Sequence, residues 1–106
     1  MFYIEGNNIN ITRGDTAVLT VPLEASGQPY DMQSGDILYL TVKKSVNDTN
    51  YLFQLTSTDG LFNFLPETTK SLNFGVYKYD IQLTTANEDV YTVIPVSSFK
   101  VLEEVT

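Results

Sequence analysis

The chain has 106 residues, 42 % of them apolar, with seven Tyr, six Phe and no Trp, Cys or His. This is the size and composition of one folded domain, 1–106, and the missing Cys and His exclude a disulfide framework, a thiolate metal site and any catalytic triad built on either residue. Six basic against thirteen acidic residues give a net charge of −7, a sign that repels phosphate backbones and anionic lipid, so neither nucleic acid nor membrane is an expected partner.

Met1 to Glu5 lacks the basic start and apolar run of a signal peptide, and no stretch approaches the roughly 18 apolar residues of a membrane helix. The expected residence is the cytosol or a particle assembled there. Ile9 to Thr12 is the first predicted strand and ends at Arg13-Gly14-Asp15. Ala17 to Leu23 follows, with Leu19, Val21 and Leu23 in one phase; Pro22 would remove a ladder hydrogen bond from a central strand, so it marks an edge or a bulge. Ser26-Gly27-Gln28-Pro29 and Gln33-Ser34-Gly35-Asp36 are turn clusters around an irregular connection.

Ile37 to Lys44 is the cleanest strand, with Leu38, Leu40 and Val42 on one face and Tyr39, Thr41 and Lys43 on the other. Tyr51 to Thr56 and Leu61 to Leu65 flank the turn dipeptide Asp59-Gly60 and are expected to pair as a hairpin. Pro66 to Leu72 is the one place for a short helical turn, with Pro at a first helical position and Glu67 beside it. Gly75 to Thr84 sets Tyr77, Tyr79, Ile81 and Leu83 against Lys78, Asp80 and Gln82. After the loop Ala86-Asn87-Glu88-Asp89, two further strands are expected, Val90 to Ile94 and Phe99 to Leu102.

Seven or eight short strands without long helices select an all-β, antiparallel two-sheet sandwich, with a closed barrel as the alternative that alternation alone does not separate. Asn73-Phe74-Gly75-Val76-Tyr77-Lys78-Tyr79 resembles the tyrosine corner of immunoglobulin-like domains, with Tyr79 where a Cys usually stands; an ordinary strand after a Gly turn reads the same way. Both readings put Tyr77 and Tyr79 in the core.

Other motifs carry less. Arg13-Gly14-Asp15 suits a tight turn better than a receptor ligand, since Gly14 tolerates positive φ and Asp15 can accept from nearby amides. Asn10-Ile11-Thr12 and Asn47-Asp48-Thr49 match the glycosylation sequon without a secretory start. Asp48, Asp59, Glu88 and Asp89 are loop carboxylates whose spacing resembles no calcium loop, and no phosphate-binding glycine loop is present. The expectation is therefore a non-enzyme with no cofactor and no metal.

Several segments in order carry a family likeness: Ile11-Thr12-Arg13-Gly14-Asp15-Thr16, Gly27-Gln28-Pro29-Tyr30-Asp31 before Gly35-Asp36, Leu40 to Lys44, Pro66-Glu67-Thr68-Thr69, Gly75 to Leu83, and Phe99-Lys100-Val101 ahead of Val105-Thr106. Together they resemble small β-sandwich modules in the tail and baseplate of bacteriophages and prophages of Gram-positive bacteria, such as the N-terminal region of upper baseplate proteins. The resemblance implies a virion structural role, exercised by contact with other phage structural proteins or as a homo-oligomer. The candidate partner-facing residues are Tyr39, Thr41 and Lys43 on an outward sheet face and Pro22 at an edge, because such modules bind through faces, edges and end loops. The competing function is a carbohydrate-binding or adhesive sandwich, for which Tyr30, Tyr51 and Asn87 are candidates. A carboxylate-pair enzyme would need a concave site that a filled core rarely leaves.

Overall fold

The computed structural model describes residues 1–104, so the terminal Val105-Thr106 of the family likeness lies outside the described residues. Strands make up just over half of the described residues: β1 (Phe2–Glu5), β2 (Asn8–Thr12), β3 (Ala17–Thr20), β4 (Glu24–Ala25), β5 (Gln28–Pro29), β6 (Ile37–Lys43), β7 (Phe53–Ser57), β8 (Leu61–Phe64), a single short helix α1 (Pro66–Lys70), β9 (Gly75–Thr84) and β10 (Val90–Leu102). A six-stranded sheet has the order β1-β2-β10-β9-β6-β7, β3 pairs with β8 in a separate sheet, and β4 pairs with β5 as a minimal hairpin.

Alternation creates the inner face. β6 buries Leu38, Leu40 and Val42 while Tyr39, Thr41 and Lys43 stay half-buried on the outward side. β9 does the same with Tyr79, Ile81 and Leu83, and Tyr77 packs half-buried against the same cluster. Ile9 and Ile11 of β2 and Phe99 and Val101 of β10 extend this face, and the small sheet covers it with Leu19, Phe62 and Phe64. Each fully buried Ile, Leu, Val and Phe among them contributes about 1.5–3 kcal/mol by leaving water.

One turn is tied down from several directions. Gly14 has φ +83°, the left-handed region open to glycine, and its N–H donates to the buried Thr69 Oγ1 of α1 at 2.8 Å. α1 itself starts on Pro66, with Thr68 Oγ1 accepting from the Leu65 N–H at 3.0 Å.

Four expectations need correction. β7 and β8 do not form a hairpin: β7 pairs with β6 and β8 with β3. Ser57 and Asp59 bond the turn internally, and Gly60 O accepts from the Val21 N–H at 2.9 Å, so the chain crosses to the other sheet. That crossing puts Phe64 opposite Phe99, which an in-sheet hairpin would not. The large sheet is mixed rather than purely antiparallel, because β2 runs parallel to β10, with Phe99 beside Ile9 and Val101 beside Ile11. The intervening chain is long enough to return in the same direction. Val90–Leu102 is one strand, not two, with register shifts between Thr92 and Ile94 and between Ile94 and Ser97. β1 and the pair β4 and β5 raise the strand number above the expected seven or eight. As for the barrel alternative, among the described residues nothing joins β7 to β1, so the sheet is open.

Candidate functional site

Two surfaces carry the residues singled out above. The first is the outward face of the six-stranded sheet, where Tyr39, Thr41 and Lys43 project from β6 between β7 and β9. Thr41 Oγ1 accepts from Gln54 Nε2 at 2.9 Å, and Lys43 Nζ donates to the Asp48 carbonyl at 3.0 Å. Thr41 and Lys43 share a depression of about 140 Å³ with Val46, Lys78, Asp80 and Val96. Partial burial holds the Asp80 carboxyl above the usual carboxylate range, opposed by the attraction of Lys43. This face is shallow, of mixed charge, and partly committed to bonds within its own sheet.

The second surface is a groove at the opposite end, and Pro22 lines it. β3 ends at Thr20, and the chain continues as one wall, Pro22-Leu23-Glu24-Ala25. The start of β10 supplies the other wall, Tyr91-Thr92-Val93, and Tyr30, Leu83 and Thr85 complete a space of about 740 Å³. Tyr30 is held in place: its N–H donates to the Leu23 carbonyl at 2.9 Å and its hydroxyl donates to Asp36 at 2.5 Å. Asp36 is buried and also accepts from the Gln33 N–H at 2.9 Å. The Tyr30 hydroxyl, and then that amide, hold the Asp36 carboxyl below its usual range, while the same hydrogen bond to Asp36 raises the Tyr30 phenol.

Sequence reasoning missed Leu23, Glu24, Tyr91 and Val93 as groove residues. A signal was present in Val90-Tyr91-Thr92-Val93-Ile94-Pro95-Val96, which is apolar in both phases. Such a strand must be covered on both faces or leave one open, and here Val90, Tyr91 and Val96 remain 56 %, 57 % and 56 % exposed.

The remaining motifs separate in space. Tyr30 and the Asn87 loop share the groove end, since Gly35, next to Asp36, packs against Ala86. Tyr51 precedes β7 beside Val42, at the other end of β6. Arg13 is committed: its guanidinium meets the Glu104 carboxylate at 2.8 Å and lies 4.5 Å from the Phe74 ring centroid. Asn10 is only 8 % exposed, which suits it poorly to glycan attachment. Among the described residues no three acidic side chains gather as a cation site. No protein-family model matches the chain, and no curated protein does either.

Proposed function

We propose that the chain is a non-catalytic assembly module of a phage or prophage virion, in the tail or baseplate, working by protein–protein contact through an immunoglobulin-like two-sheet body. Three features support the immunoglobulin-like reading. The Tyr77 hydroxyl donates to the Asn73 carbonyl at 2.7 Å, the backward bond of a tyrosine corner. β10, β9 and β6 lie side by side in one layer and β3 and β8 in the other, the partition expected of C, F and G strands against B and E. β2 pairs with the last strand, β10, rather than closing a barrel.

The observation that carries the functional reading is the unpaired edge of β10, which runs from the Pro22 groove and leaves Val90, Tyr91 and Val96 exposed, because open backbone with exposed apolar side chains is what assembly proteins use to bind neighbours. Mass spectrometry of purified particles from the host tests it. The chain should be present at a fixed ratio to other tail proteins and stay with them on gel filtration in moderate salt. Its absence from particles contradicts the proposal.

A carbohydrate-binding reading draws on Tyr30 and Tyr91 lining one groove with Glu24. Glycan-array binding that is lost in Tyr91→Ala would favour it over assembly.

A further inference from the structure

Along Val90–Ser97, β10 bonds to β9 on one side. On its other side β2 pairs only from Phe99 to Leu102, and Asn8 Oδ1 closes that junction by accepting from the Ser98 N–H at 3.0 Å. Among the described residues no strand borders Val90–Ser97 there. At about 3.3 Å per residue this edge runs for roughly 26 Å. Proteins usually blunt such edges with lysines, bulges or proline. Here Pro95 and the register shifts interrupt the ladder, but no charged residue stands on the segment and Val90, Tyr91 and Val96 face water.

The groove puts a second wall across from the start of this edge, and the segments that line it carry charges of one sign. Thr16 to Val42 and Ile81 to Phe99, which supply all of the groove lining, contain no Lys or Arg. They contain Glu24, Asp31, Asp36, Glu88 and Asp89, of which Asp36 is engaged by Tyr30 and Glu24 lines the groove. Glu88 and Asp89 lead directly into β10. Lys43 and Lys78, paired across β6 and β9, stand away from the groove and meet only the other end of the segment, where they share the outward depression with Val96 and Asp80.

We infer that the open edge of β10 takes up an extended segment of another protein, one whose apolar residues alternate with lysine or arginine, as an added strand that lays side chains into the Pro22 groove. Unpaired backbone groups along one line favour a polypeptide in strand conformation, apolar walls favour alternate apolar side chains, and Glu24, with the other acids and no cations in the lining segments, favours cations between them. The inference names a partner for the assembly module proposed above and rests on that reading only in taking the partner to be a protein.

The test uses the full chain, isotopically labelled, with a blocked synthetic octapeptide of alternating valine and lysine, and with its valine–glutamate counterpart. The lysine peptide should slow amide exchange within Val90–Ser97 at least tenfold and shift the resonances of Leu23–Ala25 and Tyr91–Val93. Glu24→Lys should weaken binding at least threefold. Glu67→Lys on α1, an equal change of net charge at another exposed position, should leave it within twofold. Equal binding of the glutamate peptide, equal weakening by Glu67→Lys, shifts confined to the face of Lys43 and Lys78, or no binding would each overturn the inference. So would self-association of the free chain that protects Val90–Ser97, which would make a second copy the occupant. A chain that takes up the peptide but is missing from particles loses the virion role alone; a particle component that ignores the peptide loses the strand site alone.

Discussion

The rings of Phe64 and Phe99 lie 6.0 Å apart at an interplanar angle of 34°, and this contact fastens the β3-β8 sheet to the six-stranded sheet. Phe99 also meets Phe53 at 5.7 Å and Tyr79 at 6.3 Å, both edge-on. It is therefore the residue through which β7, β8 and β9 share one aromatic cluster. Phe99→Ala should lower stability by about 3–5 kcal/mol, from lost transfer energy and the cavity left behind. Against a total of roughly 5–15 kcal/mol for a domain, that is a large fraction, read as a lowered urea midpoint at unchanged slope.

Tyr30 and Asp36 make stability depend on pH at both extremes. The Asp36 carboxyl titrates below its unfolded range, first because Tyr30 donates to it. Its contribution is present above the ordinary Asp range and is lost as pH falls through the lower folded value. The Tyr30 phenol is raised by the same bond, so its contribution is complete below the ordinary tyrosine range and is lost as pH rises past it. Tyr30→Phe should flatten both limbs of the stability profile and change little at pH 7 beyond the loss of one hydrogen bond. Urea midpoints measured from pH 2 to 11 check this, and an unchanged acid limb would count against the Tyr30–Asp36 bond.

Tyr79 gives a spectroscopic marker of core closure. Its phenol is 4 % exposed, donates to the Asn7 carbonyl, and is pushed by burial up to about 12. Phenolate absorbance should show a titration step near pH 12 that disappears in Tyr79→Phe. Because the folded value is the higher one, the stabilisation is intact below pH 10 and fades as pH climbs towards it.

Gly35 couples the turn before β6 to the loop before β10. It has φ +90°, and a Cβ there would lie 2.6 Å from that of Ala86. Gly35→Ala should cost roughly 1–3 kcal/mol, from backbone strain and overpacking together. Adding Ala86→Gly should recover only the steric part. Thermal melts of the single and double variants separate the contributions, and full recovery would mean that the left-handed backbone carries no cost.

Local pattern was most informative where a strand is bordered on both sides. β9 lies between β10 and β6 with one face buried, so its strict alternation gave the bounds Gly75 to Thr84 that the structure shows. β10 was misread because register shifts around Ile94 reset the phase of its apolar residues and Pro95 looks like a break. The Asp59-Gly60 dipeptide correctly announced a turn, yet which strands pair across it depends on β3 and β6, distant in sequence. The site follows the same division. Pro22 was legible as a residue that a central strand would not tolerate, and Tyr39, Thr41 and Lys43 as an outward face. Tyr91 and Leu23 became visible only once the fold left the start of β10 uncovered.

Residue-resolved amide exchange along β10 in the free chain tests the open edge most directly. From Phe99 to Val101, where both β2 and β9 pair with it, both sides of the strand are bonded. Between Val90 and Ser97 the amides that point away from β9 should exchange at least a hundredfold faster than those of Phe99 to Val101. Uniform protection along the strand would mean that the edge is already covered, and the docking account would fall with it.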